Sequence, residues 1–313
     1  MDSSELYHIK QQFTLAAYKS LVDLTPESNS PDYIPTLVYQ ARAHIALNDP
    51  SAALQLIPSD TEDVSVKGVV ALARYVGATD ETAKDAALEE LRDLCVEIES
   101  EDAEAEEKEK DLVKVLAGTA FAIAGEVEEA LETLGAGSST ENLEAVALIV
   151  QIYLSISRPD LARKEFERAK RWAEDDVLLQ LIESSIVLVT GKDGYNDPNS
   201  FYTEQLANPS LTSPHLLTAR GVTRLLKGEI SGAKSDFEEA VSQQGGKADA
   251  ETLAAMTVAA GLGTAKQAEA EQHWSQLTSQ YPTHPLVQDV LKKSAAFDEL
   301  ASRFEVPAVA VRS

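Results

Sequence analysis

Residues 215–241 read HLLTARGVTRLLKGEISGAKSDFEEAV, and their pattern decides the fold. Apolar residues recur at helical spacing: Leu217, Gly221 and Leu225, then Ile230, Ala233, Phe237, Ala240 and Val241. Lys227-Gly228-Glu229 breaks the pattern, and a glycine there lets the chain leave one helix and enter the next. The stretch is therefore a helix hairpin. Gly221 and Ala233 face inward, so the two axes approach closely, and Phe237 fills the space beside them.

The hairpin recurs. VKVLAGTAFAIAGEVEEALETL (113–134) puts Gly118, Phe121, Gly125, Ala130 and Leu134 in matching slots, and AVALIVQIYLSISRPDLARKEFERA (145–169) does so with Tyr153, Ala162, Phe166 and Ala169. Residues 33–57 supply Leu37, Ala41 and His44, the turn Asn48-Asp49-Pro50, then Ala53 and Ile57. Second-helix alanines fall at 53, 130, 162, 233 and 268, separated by 77, 32, 71 and 35 residues. Those are two, one, two and one lengths of a unit of about 34 residues, the tetratricopeptide repeat. Two degenerate units then belong at about 63–99 and 174–207. The fold class expected is all-α: a tetratricopeptide-like α-solenoid, a right-handed superhelix of about six to seven hairpins over 1–304 with atypical first and last units. A helix over 286–304, carrying Val290, Leu291, Phe297, Leu300 and Phe304, is read as the C-terminal cap. Residues 305–313 are read as a frayed tail.

Composition agrees with helices: 44% hydrophobic but only 6% aromatic. A net charge of −25 over 313 residues argues against nucleic acid and against direct docking on anionic lipid. A partner with basic surfaces is the natural complement. The single cysteine, Cys95, excludes an intrachain disulfide and shares an apolar helix face with Leu88, Leu91 and Ile98, so it reads as a small core residue. No secretory pattern opens the chain and its apolar runs are short of a membrane span, so a cytoplasmic protein without membrane insertion is expected.

Other segments carry less. Residues 5–24 read as an incomplete first hairpin with a break at Leu15-Ala16-Ala17, and 26–35 as a linker. The acidic run of 97–111 reads as a solvated helix end or loop rather than an interaction segment. The helix of 161–171 carries Arg163, Lys164, Arg168 and Arg171, a candidate secondary docking patch against so acidic a background. Thr190-Gly191-Lys192-Asp193 lacks the glycine and hydroxyl spacing of a phosphate loop.

No catalytic constellation is present: there is no nucleophile elbow, and the five histidines have no metal-ligand spacing. A non-enzyme needing neither cofactor nor metal is expected. In repeat geometry certain first-helix positions face the concave side, here Val38, Arg42 and Ile45; Leu112, Val115 and Ile123; Glu144 and Leu154; and Val222, Leu225 and Leu226. Most are apolar, which marks a partner-binding face. About half are expected to pack between repeats instead. Two classes stay open: a constitutive scaffold subunit, and a peptide-binding adaptor such as a co-chaperone. A receptor for free peptide carboxylates would place Lys, Arg and Asn on the inner face.

Beyond the repeats, LARKEFERAKRWAEDDVLLQLIESSIVLVTG (161–191), the hairpin of 215–241 and HPLVQDVLKKSAAFDELASRF (284–304) resemble the epsilon-subunit family of coatomer, the coat of Golgi-derived vesicles. SELYHIKQQFTLAAYKSLVDL at the amino terminus is more loosely similar, and the acidic run after Glu97 does not align. The resemblance implies a structural coat subunit. It would bind the carboxy-terminal domain of the coatomer alpha subunit as a 1:1 heterodimer within a larger complex, peripheral on Golgi membranes, in retrograde Golgi-to-ER and intra-Golgi transport.

Overall fold

The computed structural model describes residues 3–304 apart from 28, 59–60, 101–104, 139, 192–193 and 263–266. About three quarters of the chain is helical, in 17 helices, with no strand among the described residues. The chain divides into two compact units, Met1–Leu216 and Leu217–Ser313.

Unit 1 opens with α1 (Ser4–Thr14) and α2 (Tyr18–Val22), broken where Ala16 takes a left-handed backbone. Hairpins follow: α3 (Tyr33–Ala46) with α4 (Pro50–Leu56), α5 (Val64–Gly77) with α6 (Glu81–Glu99), α7 (Glu107–Ala124) with α8 (Val127–Thr133), α9 (Leu143–Ser155) with α10 (Pro159–Ala169), and α11 (Val177–Thr190) with α12 (Asn196–Leu206). The expected linker of 26–35 gives way early, because Tyr33, Ile34 and Pro35 already belong to α3.

One turn geometry explains the regularity. Asn48, Gly125, Ser157 and Gly228 all adopt φ between 59° and 85°. Each lies five residues before a second-helix alanine: 53, 130, 162 and 233. A left-handed residue ends the first helix and aims the second back along it, so the fifth residue on lands at the crossing. All four alanines are fully buried, because only a methyl fits where the axes cross. Ala268 departs from the series: it is exposed, and on its helix Leu277 carries the burial.

First helices stack on first helices, α3 on α5, α5 on α7, α7 on α9 and α9 on α11. One apolar core therefore runs from Val38 through Val69, Leu91, Leu116 and Phe121 to Ile149, and a second around Phe166 and Ile182 continues it. The row bends back on itself. Helix α1 touches α11, and Arg42 on α3 pairs with Glu144 on α9, 102 residues away.

Helix α13 (Pro214–Leu226) begins in unit 1 and ends in unit 2, which continues with α14 (Ile230–Gln243), α15 (Ala250–Leu262), α16 (Gln267–Gln280) and α17 (Pro285–Ala301). Phe237 is fully buried against Gly221, Ala255 and Ala259, the crossing expected from the sequence. Arg220 and Arg224 both bond Asp236, at 2.7 and 2.8 Å, and Thr218 bonds Thr252 at 2.7 Å. Helix α17 packs by its first turn, Leu286 and Val287, onto Leu253, Ala254 and Leu277.

Candidate functional site

The bend of unit 1 frames a half-open cavity of about 750 Å³. Its floor is apolar, formed by Leu6, Ile34, Val38, Leu112, Val115 and Leu143. Its wall is acidic: eight carboxylates, among them Asp32, Asp63, Glu106, Asp111 and Glu144, face two lysines, Lys10 and Lys108.

The acidity grows out of the repeat. Asp63 Oδ1 accepts from the amides of Ser65 and Val66 at 2.8 and 3.1 Å, Asn142 caps α9, Asp176 caps α11, and Glu106 with Glu109 forms a capping box on α7. All these caps line the cavity. Each satisfies amides left free at a helix start, and the positive helix end favours the charge of Asp63, Glu106 and Asp176, Asn142 being neutral. Stacked first helices begin at one rim, so their caps form a ring. Asp111 belongs to no cap; burial raises its carboxyl above the usual range, with Lys114 opposing and Glu107 adding to the rise.

Arg42 and Glu144 close one side. Tyr39 Oη donates to Glu144 at 3.0 Å, and the Arg42 guanidinium lies over the Phe13 ring at 4.4 Å. Burial alone would raise the Glu144 carboxyl, but the charge and hydrogen bonds of Arg42, with the Tyr39 bond, hold it below the usual range. Both residues were expected on the inner face; the structure joins them across it. Beside them, a second cavity of about 650 Å³ lies between α1 and residues 171–177, lined by Tyr7, Lys10, Arg171 and Trp172.

The expected partner-binding residues are only partly brought together. Val38, Leu112 and Val115 meet at the floor of the large cavity, although Val38 and Val115 are 1% and 3% exposed and belong mainly to the core. Ile45 is half-buried against that core, Leu154 against the Phe166 cluster, and Ile123 is exposed at the end of α7. In unit 2, Val222 and Leu225 pack around Phe237 while Leu226 is exposed. Of the basic helix, Arg168 bonds Ser138 O and the buried Glu165, at 2.9 and 2.7 Å, Arg163 is half-buried, and Lys164 and Arg171 are exposed. The lining residues that position reading missed are Leu6, Ile34, Leu143 and the capping ring. The caps carried a signal: Glu106, Asn142 and Asp176 open successive first helices 36 and 34 residues apart, about one repeat length, with Asp63 a longer step before them.

Cys95 is half-buried against Leu94 and Ile98, and burial pushes its thiol up to about 11. Part of the acidic run, 101–104, and Lys192 and Asp193 of the phosphate-loop fragment lie outside the described residues, as does the tail. Glu107–Asp111 of the acidic run is the first turn of α7. Among the described residues no helix is long and apolar enough to cross a membrane.

Stacked helix hairpins around an apolar-floored cavity define a helical-repeat protein of the tetratricopeptide class. Solved structures agree on the fold: a tetratricopeptide repeat protein from Parabacteroides merdae aligns at TM-score 0.53 and 14% identity, over 88% of this chain and 98% of its own. The APC/C hetero-tetramer Cut9–Hcn1 aligns at 0.59 and 13%, over 91% and 54%. Residues 2–305 match the coatomer epsilon subunit family, and the chain belongs to that family. It is similar to the probable coatomer subunit epsilon of Schizosaccharomyces pombe, 28% identical with 96% of each chain covered. The coatomer subunit epsilon of Caenorhabditis elegans is 26% identical, over 96% of this chain and 98% of that one. The family is one of coat-complex subunits.

Proposed function

We propose that this chain is a structural scaffold of the coat that holds a segment of the alpha subunit's carboxy-terminal domain in a stable 1:1 complex, on the cytoplasmic face of Golgi membranes, in retrograde and intra-Golgi transport. The observation that carries the reading is the cavity of unit 1, apolar on its floor and acidic on its wall. Such a site suits an extended segment with apolar side chains pointing inward and Lys or Arg at its edges. It suits a free peptide carboxylate poorly, since that needs a cationic clamp. This favours the scaffold over the peptide-receiving adaptor.

The apolar residues outside the cavity, Ile45, Ile123, Leu154, Val222, Leu225 and Leu226, are proposed as further contacts, and exposed Lys164 and Arg171 as a secondary patch. The test is binding of the purified alpha carboxy-terminal domain to the intact chain. Leu112→Glu puts a charge on the floor and should abolish binding with the helical spectrum retained; Leu154→Glu and Leu225→Glu probe the outer positions. If Leu112→Glu folds and binds with parent affinity, the cavity is not the site.

A further inference from the structure

Helix α1 stands between two hollows. Ser3, Leu6, Lys10 and Thr14 line the large cavity, while Tyr7, Lys10, Gln11 and Thr14 line the second. Spacings of three and four residues put the first set on one face of the helix. Lys10 and Thr14 belong to both cavities, so α1 is the partition between them.

Its hold on the protein is slight. Leu6 and Ile9 are its only buried residues, and they meet Leu21, Tyr39 and Ala43 in a small cluster apart from the main core. Phe13 adds its ring, against Tyr39 at 5.3 Å, Tyr18 at 5.5 Å and the Arg42 guanidinium at 4.4 Å. Two buried polar atoms find no hydrogen-bond partner among the described residues: Gln12 Oε1 on α1 itself and Arg42 Nη1 beside Phe13. Burying such groups is unfavourable, and a motion that returns them to water is correspondingly easier.

The helix that follows is firm. Leu21 of α2 is fully buried, and Gln40 on α3 donates to Leu21 O and Leu24 O at 2.9 and 2.8 Å. Between α1 and α2 the chain turns on Leu15, Ala16 and Ala17, with Ala16 at φ 55°. A lightly held helix thus joins a fixed one through three residues, an arrangement suited to hinge motion.

We propose that α1 is a gate on the unit 1 cavity, swinging about residues 15–17 to admit the partner segment from the side and closing over it. This rests on the reading of the cavity as the alpha-subunit site. With α1 lifted, the two cavities join into one groove. A segment inside a folded domain has no free end to thread, and a groove takes it sideways. Opening then precedes both entry and exit and sets both rates. Phe13 lines neither cavity. It holds the gate shut equally with and without the segment, so its loss speeds entry and exit by one factor and leaves affinity alone.

The experiment follows association and dissociation of the intact chain and the purified alpha carboxy-terminal domain by stopped flow. Phe13→Ala should raise both rate constants about threefold to tenfold, with the dissociation constant unchanged. Glu5→Gln, at an exposed position of α1, is the control and should keep the parent rates. A Phe13→Ala chain that associates at the parent rate or slower makes α1 a fixed wall and overturns the proposal. Hydrogen exchange of the free parent gives an independent reading: amides of residues 9–13 should exchange together, ahead of those of α3 and α5, and slow when the partner is bound. Exchange of α1 no faster than that of α3 overturns the gate even if Phe13→Ala does not fold. The cavity is judged separately. If Leu112→Glu abolishes binding while Phe13→Ala keeps the parent rates, the cavity reading stands and the gate falls. If Leu112→Glu folds and binds as the parent does, both fall.

Discussion

At the crossing in unit 2, a Cβ added to Gly221 would lie 2.3 Å from Phe237 Cε1. Gly221→Leu should therefore overpack the site, at about 1–3 kcal/mol, and Phe237→Ala should empty it, at about 3–5 kcal/mol. The structure adds a coupling. Since both changes act on one volume, Gly221→Ala should be harmful alone and much less so in the Phe237→Ala background. Urea midpoints of the four proteins check this; simple additivity would contradict the close approach. The Arg42–Glu144 pair is testable by pH. The Glu144 carboxyl is depressed in the folded chain, so its contribution is present above the ordinary carboxylate range and is lost as pH falls through the folded value. Glu144→Gln should cost roughly 1–3 kcal/mol at neutral pH, and the gap to the parent should narrow in acid. Cys95, its thiol raised to about 11, should react with iodoacetamide at pH 7.5 far more slowly than an exposed cysteine.

At the scale of the element, hairpin turns and helix starts carry the predictions. Ser157 holds a left-handed backbone, φ 59°, at the turn where other hairpins use Gly125 and Gly228. That conformation costs a residue with a Cβ about 1–2 kcal/mol, while glycine gives back part of the gain as unfolded-chain entropy. Ser157→Gly should stabilise by about 0.5–1 kcal/mol, read as a raised denaturation midpoint. Asp63→Ala removes a cap that serves two amides and should cost about 1 kcal/mol. Because Asp63 also stands on the cavity wall, the same variant should loosen a basic partner segment more at low salt than at high salt.

For the whole molecule, no hairpin buries its apolar face by itself. A peptide of residues 215–243 should be largely unfolded by circular dichroism, because Phe237 finds Ala255 and Ala259 only on the next helix. Much of the rest was legible one residue at a time. The spacing of small residues, the turn residues and the capped helix starts are local properties of the chain, so both members of nearly every hairpin, and the crossings at Ala53, Ala130, Ala162 and Ala233, follow from residue order. What periodicity could not supply is curvature. Whether a first-helix residue such as Val38 faces solvent or another repeat depends on small rotations between successive hairpins, summed over five of them, and no single residue encodes that sum. Tertiary structure alone brought Arg42 to Glu144, turned a concave stripe into a cavity, gathered the caps along its wall and left all but the first turn of α17 exposed. Sequence by itself determined the repeats; their summed geometry decided which repeat residues line the cavity.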